Sequence, residues 1–195
     1  VLNRYVARNG DAGIVAGLPL WLSMRAMIRA HVEAARGHDW RALLAAADAH
    51  LRPMPARLVA IGGLQGTGKS TLARDVAPAL GRCPGALVLR TDEARKRRFG
   101  LAPEQRLPAE AYEERVSRAV HEEVFAMAAT ALAAGQAVVL DAVFLDPAQR
   151  ENAAAVARAA GVPFDGIWLE APLDVLRARI AGRRGDASDA TEEVL

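Results

Sequence analysis

The chain has a single cysteine, Cys83, and aromatic residues make up only 5% of its 195 positions. A lone cysteine excludes an internal disulfide and suits a reducing cytoplasm. So few aromatics argue against a stacking platform for single-stranded nucleic acid. Neither sign of charge dominates. The 25 Lys and Arg residues against 23 Asp and Glu leave a formal net charge of +2, too small to imply a nucleic-acid partner by itself. No apolar run is long enough to span a bilayer. The first residues lack the basic-then-apolar order of a signal peptide, so none is expected. His31, His38, His50 and His121 lie apart, without metal-ligand spacing or cysteine partners. No G-x-S-x-G nucleophile elbow occurs. What is present is a globular composition, 52% hydrophobic, whose core rests on Ala, Leu and Val.

Residues 1–52 read as helical and separate from the rest of the chain. In "LPLWLSMRAMIRAHVEAAR", Trp21, Met24, Ile28, Val32 and Ala35 recur at helical spacing, and most arginines fall off that stripe. Gly37 suits a helix end, and Asp39 can cap a second helix through "WRALLAAADAHL". Pro53 and Pro55 then break the pattern, so residues 53–56 read as a linker.

From residue 57 onward, strands alternate with helices. "RLVAIGG", "ALVLRT", "QAVVLDA" and "FDGIWLEA" read as strands. Between and after them, helices are predicted over "KSTLARDVAPAL", "DEARKRRF", "PAEAYEERVSRAVHEEVFAMAATALAAG", "AQRENAAAVARAAG" and "PLDVLRARIAGRR". The long third helix would place Tyr112, Val116, Val120, Val124 and Met127 on one face. Asp146 and Pro147 suit the N-cap and first position of the fourth. Such alternation predicts an α/β fold with a parallel sheet covered on both faces.

One stretch carries specific chemistry. Gly63-Leu64-Gln65-Gly66-Thr67-Gly68-Lys69-Ser70 matches G-x-x-x-x-G-K-[ST] between an apolar strand and a helix. Glycines let the backbone close around phosphate oxygens without a Cβ in the way. Backbone N–H groups and the helix dipole converge there on an anion. Residues Gly63, Gly66, Thr67, Gly68, Lys69, Ser70 and Thr71 are thus the candidate phosphate binders. Lys69 reaches the β- and γ-phosphates, and Ser70 places its hydroxyl on Mg²⁺.

Other candidates are marked by position. Asp92 stands where the second strand meets a helix, the edge at which ligands bind in open α/β sheets. It can accept the proton of an attacking hydroxyl, help hold Mg²⁺ through water, or merely cap a helix starting at Glu93. Arg95, one turn on, can grip an anionic part of an acceptor. Lys96, Arg97 and Arg98 read as a solvated basic run. Asp141, after "AVVL", fits a Walker-B carboxylate that supports Mg²⁺. Near the end, Arg183 is preferred over Arg179 as a cation closing on the transferred phosphoryl group. The competing reading is favourable positive charge at a helix C-terminus.

Together, "GGLQGTGKSTLA", "RTDEARKRRFG", "AVVLDAVF" and "ARIAGRRGDASDA" resemble the P-loop kinases related to polynucleotide kinases, gluconate kinases and zeta toxins. The likeness is strongest to bacterial proteins known only as predicted kinases or AAA-type ATPases, and it covers about 56–195. It implies a three-layer P-loop NTPase fold with strand order 2-3-1-4-5 and a kinase domain over 57–195. It implies ATP and Mg²⁺ as cofactors, Asp92 as base and Arg95 as a substrate-phosphate ligand. It also implies that a chain ending at Leu195 stops in or after the arginine lid. Residues 1–52 resemble the tail of an aminoglycoside-phosphotransferase-like domain, but none of the four histidines has Asp two residues later. A chain starting at Val1 rather than Met fits a piece of a longer protein. The expected activity is phosphoryl transfer to a hydroxyl of a small molecule. The alternatives are a 5′-hydroxyl polynucleotide kinase and a nucleotide-dependent switch.

Overall fold

The computed structural model describes residues 1–102 and 105–181. The strands are β1 (Leu58–Gly63), β2 (Leu87–Arg90), β3 (Val138–Asp141) and β4 (Phe164–Leu169). They form one parallel sheet in the order β2-β3-β1-β4. This matches the expected order as far as the described residues go, with the Asp141 strand beside the phosphate-loop strand.

Strand periodicity sorts the side chains onto two faces. Leu58, Ala60, Leu87, Leu89, Val138 and Leu140 join the larger core, and Val59, Ile61, Val88 and Val139 join the smaller one. The smaller core is closed by α4 (Lys69–Val76). The larger is closed by α6 (Glu114–Ala133) and α7 (Pro147–Ala159), which contribute Val120, Val124, Ala128, Ala153 and Ala157. Asp146 caps α7, its Oδ1 accepting from the Ala148 N–H at 2.9 Å. The near-continuous apolar strands β1, β2 and β3 are buried because both faces are covered, whereas β4 is exposed along most of its length, so the expected two-sided cover does not reach it among the described residues.

Three further expectations change. The predicted helix over 108–135 breaks at Glu113, whose ψ is 148°. Tyr112 consequently lies in a separate short turn and is 50% exposed, while Val116, Val120, Val124 and Met127 are buried as expected.

The separation at residue 52 does not describe the first 17 residues. Helix α1 (Leu2–Asn9) and the turn after it send Val6, Ala12 and Val15 into the larger core. The Asn3 Oδ1 accepts the Val88 N–H at 3.1 Å, covering a donor on the edge strand β2.

Helices α2 (Leu18–Ala35) and α3 (Arg41–Leu51) pack against each other. The buried face of α2, however, carries Ser23, Ala26 and Ala30. The predicted stripe of Trp21, Met24, Ile28 and Val32 points outward. Small residues on the opposite face let the helix approach its neighbours more closely than the bulky stripe would. Residues 53–56 lie in neither helix nor strand, as the prolines require.

Candidate functional site

The sheet register builds the site. Ile61 pairs with Asp141, and Arg90 pairs with Asp141 from the other side. The carboxyl ends of β1, β2 and β3 therefore bring the phosphate loop, Asp141 and Arg90 to one level. The helix α5 (Thr91–Arg98) starts there too.

The loop requires its glycines. Gly63 has φ +135°, and a Cβ on it would lie 2.4 Å from the Leu169 carbonyl oxygen. Gly68 precedes α4 with φ +98°, a conformation that L side chains resist. Lys69 opens the helix, and its Nζ donates to the Gly63 and Leu64 carbonyls at 2.8 Å each. The Thr67 hydroxyl also donates to the Leu64 carbonyl at 2.8 Å. Gly66 lies against α8 (Leu173–Ala181), where the Arg179 guanidinium donates to its carbonyl at 3.2 Å. Thr71 is exposed in the first turn of α4.

Opposite the loop, the Ser70 hydroxyl donates to the Asp141 Oδ2 at 2.6 Å. Asp141 is only 5% exposed. A buried carboxylate touching a hydroxyl offers the hard oxygen donors that suit a small divalent cation such as Mg²⁺. Gly66, Lys69, Ser70, Asp92 and Asp141 line a common cleft. The expected metal pair and phosphate binders thus stand together.

Asp92 is the second residue of α5, and no side chain caps that helix. The capping alternative therefore does not hold. Desolvation pushes the Asp92 carboxyl above its ordinary range, with Asp141 adding to the rise and Arg90, Lys69 and Arg95 opposing it. Glu93, next along, is also pushed up by burial, against the pull of Arg90.

The basic run is not a solvated face. Arg95 is 7% and Lys96 2% exposed. Arg95 donates through one nitrogen to the Ala111 carbonyl and to the Ser117 hydroxyl, and its guanidinium lies 5.1 Å from the centroid of the Tyr112 ring. It flanks Asp92 while holding the turn before α6. Its Nε is buried without a partner among the described residues. Arg97 donates to the Ala7 carbonyl at 2.7 Å and pairs with Glu123, tying α1 to α6. Of the run, only Arg98 is exposed.

Arg183 lies outside the described residues, and Arg179 is the arginine seen at the loop. Sequence reasoning also passed over Arg90 and Glu93. Their signal was available: a polar residue ending an otherwise apolar strand points at the sheet's ligand edge. His121 is half-buried, its Nδ1 bonded to the Ser117 carbonyl at 2.8 Å. Burial pulls its pKa down. Among the described residues no group of three or more His, Cys, Asp or Glu side chains could hold a metal. Nor is any described helix long and apolar enough to cross a membrane.

A family model described as an AAA domain matches residues 58–195. An uncharacterized protein of Mycobacterium tuberculosis is 34% identical over 203 residues, covering 97% of this chain and 40% of that protein. The chain thus spans less than half the length of that relative. An adenylyl-sulfate kinase of Myxococcus xanthus is 36% identical over 120 residues, covering 60% of this chain and 59% of the enzyme. Among solved structures, a candidate kinase from Chloroflexus aurantiacus aligns with a TM-score of 0.54 and 26% identity over 66% of each chain.

Proposed function

From the premise that the chain belongs to the AAA-domain family, in its P-loop kinase branch, we propose that it is an ATP- and Mg²⁺-dependent phosphotransferase acting on a hydroxyl of a small-molecule acceptor. The observation that carries this reading is Asp92. Its carboxyl lines the same cleft as Lys69, Ser70 and Asp141 without capping its helix.

In this reading Gly63, Gly66, Thr67, Gly68 and Thr71 shape the phosphate cradle. Lys69 leaves the Gly63 and Leu64 carbonyls to neutralise the β- and γ-phosphates. Ser70 and Asp141 would hold Mg²⁺, which shields phosphate charge when bound. Asp92 accepts the acceptor's proton, and its raised pKa makes it a better base for that task. Arg95, which flanks Asp92, positions the acceptor. An arginine from the α8 end, Arg183 or Arg179, closes on the γ-phosphate. Most of the catalysis is positioning and charge stabilisation. Residues 1–52, with their likeness to the tail of an aminoglycoside-phosphotransferase-like domain, add no residue to the transfer site.

The polynucleotide kinase alternative loses its support at the basic run, because Arg95 and Lys96 are buried and Arg97 is spent on α1 and α6. The test is transfer of radiolabelled γ-phosphate from ATP to sugars, aminoglycosides, nucleosides and 5′-hydroxyl oligonucleotides. Steady ADP release stimulated by one small-molecule class is the expected result. Slow ADP release indifferent to every acceptor would favour the nucleotide switch instead.

A further inference from the structure

Arg90 sits across Ser70 and Asp141, the two residues that would hold the metal. We propose that it is a resident cation, holding the Ser70 and Asp141 oxygens until a nucleotide-bound divalent ion displaces it onto Glu93. This rests on the reading that Ser70 and Asp141 are the metal's protein ligands.

The geometry is specific. The Arg90 Nε donates to the Asp141 Oδ2 at 3.0 Å, and a terminal nitrogen donates to the Ser70 Oγ at 3.0 Å. The Ser70 hydroxyl closes the triangle on the same Oδ2 at 2.6 Å. The Arg90 side chain is 12% exposed and that of Asp141 5%. Guanidinium is permanently charged and presents its donors in a fixed fork. It therefore supplies in one group both the positive charge and the oxygen contacts that a small cation would supply.

The neighbourhood explains why such a group is needed. Asp141, Asp92 and Glu93 crowd one region, and each of the last two is pushed up by burial and by Asp141. A buried carboxylate without a counter-charge is strongly destabilising. Arg90 meets that need from the fold itself. A divalent ion drawing on the same oxygens would stand beside a fixed positive charge, so free metal is opposed. A metal that arrives on a nucleotide brings phosphate charge with it, and the opposition is offset.

The displaced guanidinium also has somewhere to go. Its other terminal nitrogen already lies 3.4 Å from the Glu93 Oε1, one helical turn away. Exchange of partners needs only a small swing of a side chain whose stem stays buried. Arg90 is thus a positioning residue: it acts on the metal's ligands rather than on the phosphates.

The test reads metal binding directly. Mn²⁺ is titrated into the full chain, first without nucleotide and then with ADP, and free Mn²⁺ is followed by electron paramagnetic resonance. Arg90→Met keeps the apolar stem and removes the charge. It should bind Mn²⁺ without nucleotide at least about tenfold more tightly than wild type, since a fixed opposing charge nearby is gone. Arg90→Lys, which restores the charge, should return to within roughly threefold of wild type. Adding Asp141→Asn to Arg90→Met should erase the gain. A thermal melt checks each variant first.

Should Arg90→Met not fold, Glu93→Gln serves in its place. It removes the alternative partner and should weaken Mn²⁺ binding several-fold. Equal Mn²⁺ affinity in wild type and folded Arg90→Met overturns the proposal, as does a Glu93→Gln affinity that is unchanged. If Asp141→Asn alone leaves Mn²⁺ binding with ADP intact, the metal assignment fails and takes this proposal with it. Loss of that binding in Asp141→Asn, with no effect of Arg90→Met, rejects only the role of Arg90.

Discussion

Helix α5 buries an arginine and a lysine, whereas helix α2 exposes a tryptophan, two methionines and an isoleucine. Arg95 and Lys96 are 7% and 2% exposed, while Trp21, Met24, Met27 and Ile28 range from 38% to 60%. Long charged residues are rarely fully buried unless paired, and exposed apolar patches of any size call for a reason. In α5 the reason is on view. Arg95 is bonded to the start of α6 and flanks Asp92, and Arg97 is bonded to α1 and α6. In α2 the inward face is Ser23, Ala26 and Ala30, and the bulky residues are left over. One departure from the usual burial pattern is bonded into the structure beside the cleft, and the other leaves apolar surface exposed among the described residues.

The largest expected effect comes from the cleft that the α5 side of this contrast shares with α4. Lys69→Ala should lower phosphoryl transfer by about a hundredfold to a thousandfold, the range for losing one preorganised charge contact at a transferring group. ATP binding should weaken as well. Normal turnover in that variant would remove the site from the cleft altogether.

The next effect is more discriminating. Asp92→Asn should cut transfer by on the order of a hundredfold, the usual range for a general base. ATP affinity should stay near wild type, because the loop is intact. Stability should move the other way. Desolvation raises the folded-state pKa of Asp92 above its ordinary 3.8. The stability tied to the neutral carboxyl is fully present below that ordinary value. It is lost as pH rises through the folded-state value. Above the ordinary value the upward shift therefore costs stability, and Asn removes that cost. Thermal melts should find Asp92→Asn at least as stable as wild type at pH 7, with the difference closing as pH falls towards the unfolded value. A variant less stable at pH 7 would mean that the ionised carboxylate holds the fold together, which a structural role predicts and a site role does not.

Much of the phosphate site was legible because its signal is local. Eight consecutive residues, Gly63 to Ser70, encode a backbone path, and no distant partner is needed to read it. Asp141 was legible for a similar reason, as a carboxylate ending an apolar strand. Arg90 ends a strand too, but its partners Ser70 and Asp141 are 20 and 51 residues away. Only the parallel register makes them neighbours. The basic run misled for the converse reason. Charge in sequence says nothing of the Ala7 carbonyl and the Glu123 carboxylate that draw Arg97 inward. The stripe on α2 misled because periodicity reports that a helix is two-faced, not which face is covered. Residues 1–17 were set apart by their helical pattern, while their burial depends on Val6 and Val15 meeting β2 and α6.

The smallest effect tests the α2 side of the contrast and needs a paired measurement. Val15 and Ile28 both lie in the N-terminal helical region, at 0% and 60% exposure. Val15→Ala removes two methyl groups from the larger core and should cost roughly 2 kcal/mol, since the cavity cannot fully collapse. Ile28→Ser removes more apolar surface in total. Yet that surface already meets water, and Ile and Ser have similar helix propensities. Its stability should change by no more than about 0.5 kcal/mol. Chemical denaturation of both variants gives the two numbers on one scale, and the slope with denaturant should match wild type in each. Size-exclusion chromatography supplies the complementary reading. Because an exposed apolar stripe favours self-association, Ile28→Ser should raise solubility or leave it unchanged. If Ile28→Ser costs as much as Val15→Ala, the outer face of α2 is covered in solution and the contrast with α5 disappears. If Val15→Ala costs nothing, the first 17 residues do not share the sheet's core, and the separation at residue 52 read from the sequence would be restored.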